Sequence, residues 1–151
     1  MSELTPLQTQ LNNLISNLAP AKRALLAREV GRNLAQSQRK RIALQQNPDG
    51  SSYAPRRVQS KNRKGKLKRK AMFMKLRTAR FMRLKTTANG VELGYQGSNA
   101  MIAEVYQYGK ESRVSRKANW KVKYDQRELL GFSENDVQMV EDVVIAYLAG
   151  K

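Results

Sequence analysis

Neither cysteine nor histidine occurs anywhere in the 151 residues. The first absence rules out disulfide frameworks, thiolate metal sites and a cysteine nucleophile. The second removes the commonest general base and the commonest metal ligand. Aromatic residues are sparse at 7%, with a single tryptophan. No run approaches the roughly 18 consecutive apolar residues of a membrane-spanning helix. The first residues, Met1-Ser2-Glu3-Leu4-Thr5-Pro6, show neither the basic start nor the apolar core of a secretion signal, so synthesis in the cytoplasm is the expectation. Acidic residues are also few, twelve against twenty-nine Lys and Arg, for a net charge of +17.

That excess is confined. Between Asp49 and Glu92 there is no acidic residue, while Arg56, Arg57, Lys61, Arg63, Lys64, Lys66, Lys68, Arg69, Lys70, Lys75, Arg77, Arg80, Arg83 and Lys85 all fall there. Fourteen of the +17 sit in this window, which leaves +3 for the rest of the chain. A near-neutral body thus carries one basic segment, which repels itself and calls for an anionic partner or open solvent.

The length fits one domain, and 40% hydrophobic residues suffice for a core. Residues 5–46 read as an N-terminal helical pair, 47–66 as a basic exposed loop, and 67–149 as an α+β body. In the first helix Thr5, Pro6 and Gln8 have capping roles, and Leu7, Leu11, Leu14, Ile15 and Leu18 share one face. A second helix runs from Pro20 to about Gln46, with Leu26, Val30, Leu34 and Ile42 in one row that Gln38 interrupts. Asn47-Pro48-Asp49-Gly50 is a stop and turn, and residues 50–65 have few apolar anchors. A short basic helix is expected from Lys66 to about Ala79, with Leu67, Ala71, Met74 and Phe73 on its buried side.

From Met82 the period changes to two. Asn89-Gly90 suggests a two-residue turn, pairing Ala88 with Val91, Thr86 with Leu93 and Leu84 with Tyr95. Ser98 or Asn99 can cap a third helix with Ile102, Val105 and Tyr106 inward and Gly109 as its left-handed end. After a basic, polar loop, Trp120, Val122 and Tyr124 alternate with Lys121 and Lys123 as a strand expected to join the hairpin in one small antiparallel sheet. Ser133-Glu134-Asn135-Asp136 opens the last helix, whose buried stripe is Val137, Val140, Val144 and Leu148. The fold class is therefore α+β.

Catalytic chemistry finds no foothold. The adjacent Glu141 and Asp142 point in different directions on a helix, Glu104 stands alone, and Gly94 and Gly97 fit no phosphate loop. No carboxylate spacing suggests a metal cage or a facing acid and base. No enzyme activity, catalytic residue, cofactor, metal, membrane association or small-molecule substrate is expected.

Three ordered groups of residues resemble the phage virion morphogenesis family, the tail completion proteins of contractile-tailed phages and Mu-like prophages. They are Gln45-Gln46-Asn47-Pro48-Asp49-Gly50 with Tyr53-Ala54-Pro55-Arg56, then Lys70-Ala71-Met72-Phe73 with Leu76-Arg77-Thr78-Ala79-Arg80. The third joins Val105-Tyr106-Gln107-Tyr108-Gly109 to Arg127-Glu128-Leu129-Leu130-Gly131-Phe132-Ser133. The resemblance covers roughly residues 5 to 149. The family commonly has His where Tyr106 stands, an exchange that a packing or interface position tolerates and a catalytic one does not. It implies a virion protein at the head–tail junction, a subunit of a homo-oligomeric ring around the DNA channel. Its neighbours would be a tail terminator, tube or head-connector protein.

Two sets of site residues follow. Arg56, Arg57, Lys61, Arg63, Lys64, Lys66, Lys68, Arg69, Lys70, Arg77 and Arg80 form a docking segment for an acidic protein face or for DNA phosphates. The plainer reading is a solvated charge run. Tyr106, Tyr108, Arg127, Glu128 and Phe132 are candidates for a subunit interface, where Arg127 and Glu128 would pair with opposite charges on a neighbour in head-to-tail contacts. Leu129, Leu130 and Phe132 are also a core plug leading into the last helix. The rival reading is a free, non-sequence-specific nucleic-acid-binding protein, suggested by the charge alone.

Overall fold

The computed structural model describes residues 5–56, 71–87, 90–113, 117 and 119–150, with the backbone alone for 5–8 and 11. In chain order come α1 (Thr5–Ser16), α2 (Pro20–Ala43), β1 (Arg83–Thr87), β2 (Gly90–Gly94), α3 (Gly97–Tyr108), β3 (Glu111–Arg113), β4 (Lys121–Lys123) and α4 (Glu134–Leu148). The class is α+β. Among the described residues no helix is long and apolar enough to cross a membrane.

The spine is α2, on which both the β1–β2 hairpin and α4 pack. Proline at its start costs no hydrogen bond there. Its buried residues are Leu26, Gly31, Ala35, Gln38, Arg41 and Ile42. Leu26 and Ile42 of the expected row are buried, Val30 and Leu34 are half-buried, and Gly31 and Ala35 one position round are buried in their place. Gln38 is no interruption but part of the interior. Gly31 sits in mid-helix because the hairpin lies directly against it. A Cβ there would stand 2.5 Å from Val91 Cγ2 and 2.9 Å from Leu84 Cδ1. Gly31→Val is expected to push the hairpin off the spine and cost about 1–3 kcal/mol by overpacking; chemical denaturation with unchanged stability would contradict this packing.

The helix ends three residues before the expected Gln46. Gln45 takes a left-handed conformation at φ 56°, with Gln45 N–H on Ile42 O at 2.9 Å and Gln46 N–H on Arg41 O at 3.2 Å, a Schellman closure. A non-glycine residue is held there by its side chain: Gln45 Oε1 accepts from Met72 N–H at 2.7 Å and Nε2 donates to Met72 O at 2.8 Å. That bracket shapes the next segment too. Within the span expected to be a short basic helix, 71–73 has no regular structure, 74–77 and 79–81 form turns, and Phe73 at φ 65° cannot continue a helix. Met72 is buried where Met74 was expected; Leu67 lies outside the described residues.

The hairpin forms with its expected faces but a register shifted by two. Leu84 pairs with Leu93, Thr86 with Val91 and Thr87 with Gly90, so Gly90 belongs to the strand; Asn89 of the expected turn lies outside the described residues. A shift of two preserves which side chains share a face. The expected pairings of Leu84 with Tyr95 and Thr86 with Leu93 are therefore wrong, although the sorting of faces is right.

α3 starts at Gly97 after Gln96 and ends at Gly109 with φ 63°; no side chain caps its start, so neither Ser98 nor Asn99 has that role. Ala103 is its buried residue while Ile102 is exposed. The strand near 120–124 forms as β4 but pairs with β3, not with the hairpin, giving two small sheets. β3 falls in what reads as a basic, polar loop, because Glu111-Ser112-Arg113 lacks an apolar alternation. Ser133 caps α4 in a reciprocal box with Asp136. In that helix Val144 is buried, Val140 and Leu148 half-buried, and Val137 exposed. The first helix meets α4 more than α2, and its Leu14, expected inward, is exposed. Ile42, Met82, Ala103 and Leu129 make the core, with Phe73, Leu76, Leu93, Tyr95, Tyr106 and Leu130 packed around them.

Candidate functional site: a polar hub and the concavities around it

Residues 124–133 pass between β4 and α4 without regular structure, yet Leu129 is fully buried. A buried backbone without a ladder must find other partners, and here side chains supply them residue by residue. Glu128 N–H donates to Asn47 Oδ1 at 2.9 Å. Glu128 O accepts from Arg41 Nη1 at 2.8 Å and Tyr53 OH at 2.7 Å. Gln107 Oε1 accepts from Leu129 and Leu130 N–H at 2.9 and 3.0 Å, and its Nε2 donates to Leu130 O at 2.7 Å. Arg41 Nη2 donates to Leu129 O at 2.7 Å. Gln38 brackets Gly131, accepting from its N–H at 3.3 Å and donating to its O at 2.7 Å. Five side chains from α2, the 47–53 turn and α3 thus satisfy both polar groups of each backbone unit from 128 to 131.

Arg41 is the centre of this hub. Buried at 8% exposure, it also donates to Gln46 O at 2.8 Å and to Gln38 Oε1. Its charge is dispersed over carbonyl and amide oxygens, with no carboxylate against it among the described residues. The planar fork of guanidinium suits this bridging, which a lysine ammonium could not reproduce.

Arg127, expected at a subunit boundary, is committed inward instead. At 3% exposure its Nε donates to Ala54 O at 2.9 Å and Nη2 to Pro55 O at 3.0 Å, and the guanidinium carbon lies 5.7 Å from the Tyr106 ring centre. It fastens the 53–55 segment, where Tyr53 is buried; the expectation of an exposed loop fails at that residue. Tyr106 is likewise mainly a packing group. Tyr53, Phe73, Tyr106 and Tyr124 form a chain of edge-to-face rings with centroids 5.7, 4.9 and 5.2 Å apart, tying four segments together. Gly131 packs so tightly on Pro48 that a Cβ would lie 2.5 Å from its ring. The three sequence groups that carry the family resemblance meet in this one hub.

What those groups leave outside is equally defined. Phe132 is 65% exposed and Tyr108 66% exposed. Both line a concavity of about 540 Å³ floored by Ala103, Gln107 and Leu130. Tyr95 also lines it, and its hydroxyl is buried without a hydrogen-bond partner among the described residues. Phe132 borders a second hollow of about 180 Å³ beside Gly31 and Val91 and a polar groove of about 1080 Å³ that includes Glu128 and Lys40. It is a ridge among three concavities. Of the basic segment, Arg56 and Arg77 are half-buried and Arg80 is exposed, 5.5 Å from the Phe81 ring centre. Arg57, Lys61, Arg63, Lys64, Lys66, Lys68, Arg69 and Lys70 lie outside the described residues.

Burial raises the pKa of the Tyr53 phenol, partly offset by Arg41 beside it, and burial raises that of Tyr95 as well. Both are held neutral when folded beyond the pH at which the unfolded chain ionises, about 10. Their contribution is intact below that pH and is lost as pH rises through the folded values, because the unfolded state then binds fewer protons. Stability should fall steeply above about pH 10, and Tyr53→Phe combined with Tyr95→Phe should flatten that limb while lowering stability at pH 7 through the lost Glu128 contact. An equally steep alkaline limb in the double variant would contradict this.

Arg41 is not singled out by the sequence, Gln107 appears there only within a motif, and Gln38 only as an interruption of the apolar row. For Gln38 the signal is present: a polar residue in an apolar helical row is one that the interior must satisfy.

The class of molecule is now defined. It is a small α+β domain whose polar chemistry is spent on fastening its own backbone, with no group of three carboxylates placed to hold a metal among the described residues. The phage virion morphogenesis family matches residues 2–149, and the chain belongs to it. Tail completion protein S of Escherichia phage P2 is 41% identical over 150 residues, covering 98% of this chain and 99% of that protein. No solved structure matches the chain.

Proposed function

We infer that this chain is a structural, non-catalytic subunit that completes the head-proximal end of a phage tail and takes part in joining it to the head. The observation that carries this is the 41% identity to a tail completion protein across almost the whole of both chains. In this reading the chain is made in the host cytoplasm, ends in the virion at the head–tail junction, and forms a homo-oligomeric ring around the DNA channel. Exposed Phe132 and Tyr108, with Glu128 in the adjoining groove, support a subunit contact, since aromatic side chains beside hollows are the usual anchors of interfaces. The basic segment, of whose described members Lys75, Arg80, Arg83 and Lys85 are exposed and Arg56 and Arg77 half-buried, serves to dock an acidic face of a tail terminator, tube or connector protein, or to contact packaged DNA without reading its sequence. Electron microscopy of lysates from a phage lacking this gene tests the reading. Filled heads and separate tails are expected, and heads joined normally to tails would contradict it.

A further inference from the structure

The β3–β4 ribbon combines three features that its own fold does not require. First, it protrudes: its strands pack chiefly on each other, and Glu111, Arg113, Lys117, Trp120, Lys121 and Lys123 are all exposed. Second, Arg113 lies directly opposite Lys121 across the ribbon, where like charges on one face destabilise a pairing that is marginal at three residues per strand. Third, Trp120, the chain's one tryptophan, stands beside Lys121 at 64% exposure, although the strand alternation placed it on the half-buried side. Lys110, at the base, is already taken by Glu104 at 2.7 Å, and Glu111 faces Lys123. The opposed Arg113 and Lys121 have no carboxylate within ion-pair distance among the described residues.

The geometry points to the ribbon as a contact arm for duplex DNA, with Arg113 and Lys121 neutralising phosphates and the Trp120 ring lying against the sugar–phosphate edge. A polyanion relieves the like-charge opposition. A two-stranded ribbon also fits the major groove, which admits such an element. Single-strand binders instead offer a basic groove with several rings to stack on, and among the described residues of the ribbon Trp120 is the one exposed ring. The inference goes beyond the tail-completion reading and concerns residues outside the 56–85 segment.

The single tryptophan makes the test direct. Its fluorescence and its quenching by acrylamide are followed in the intact protein during titration with a random-sequence duplex at low salt, and in parallel with poly-L-glutamate at matched charge. Duplex DNA should shield Trp120 from acrylamide several-fold more than poly-L-glutamate does. Arg113→Gln with Lys121→Gln should lower the slope of log affinity against log salt by about two, one for each lost phosphate contact. Removing opposed like charges should leave the ribbon folded, which circular dichroism and the unbound Trp120 spectrum check. Three outcomes would overturn the proposal: DNA binding that leaves Trp120 open to quenching, equal shielding by poly-L-glutamate (an acidic protein face instead), or an unchanged salt slope in the double variant. Head–tail joining in phage carrying these two substitutions reports separately on the tail-completion reading.

Discussion

Arg41→Met is expected to cost about 3–5 kcal/mol of stability, because the carbonyls of Gln46 and Leu129 lose their donor together, Glu128 O loses one of two, and each unsatisfied group carries a penalty of roughly 1–3 kcal/mol. For a chain of this size such a loss lowers the melting temperature by about 10 °C or more. Gln46 O, Glu128 O and Leu129 O each lie 2.7 to 2.8 Å from the guanidinium; Glu128 O keeps Tyr53 OH, whereas Gln46 O and Leu129 O have no second donor among the described contacts. Arg41→Lys should recover only part of this, since a single ammonium cannot span carbonyls that a planar fork reaches. Urea denaturation of the three proteins measures it. A loss below about 1 kcal/mol for the methionine variant, within the range of ordinary surface changes, would mean that water takes over the carbonyls and that the hub does not hold the fold.

The second large effect is on assembly and should leave stability alone. Phe132→Asp with Tyr108→Asp changes two side chains that are about two-thirds exposed, so the isolated protein should stay within roughly 0.5 kcal/mol per site of the parent. If these rings anchor a subunit contact, each contributes about 2 kcal/mol or more to it, and losing the pair together reduces association on the order of 1,000-fold. Complementation of a phage lacking the gene should then fall by that order in infectious titre. A folded double variant that restores full titre would remove Phe132 and Tyr108 from the interface. Contrasted with Arg41→Met, which damages the fold itself, this separates residues that hold the molecule from those that present it.

That separation also explains what the sequence could and could not reveal. Helices were legible because α2, α3 and α4 carry their periodicity, a starting proline, a terminal Gly109 and a Ser133 box locally. The hairpin faces were legible for the same reason. Its register was not, since a shift of two satisfies the same alternation and Gly31, more than fifty residues away in the chain, takes part in seating Leu84 and Val91. The turns after Met72 were missed because the determinant is the side chain of Gln45, whose amide dictates the backbone at Met72. Most instructive is Arg127. A charged residue in a motif suggests a partner outside, whereas its partners are the carbonyls of Ala54 and Pro55. Nothing short of the fold places an arginine beside carbonyls some seventy positions earlier. Most residues of the motifs that carry the family resemblance are therefore spent on the fold, while Tyr108 and Phe132 within the third of them stay exposed.

The account as a whole is tested most directly by a reconstruction of the head-proximal end of purified tails. It predicts this chain there as a closed ring, with Phe132 and Tyr108 covered by the neighbouring subunit and the hub of Arg41, Gln38 and Gln107 inside each copy. Tails whose head-proximal end lacks this chain, or a ring in which both aromatic side chains face open solvent, would contradict it.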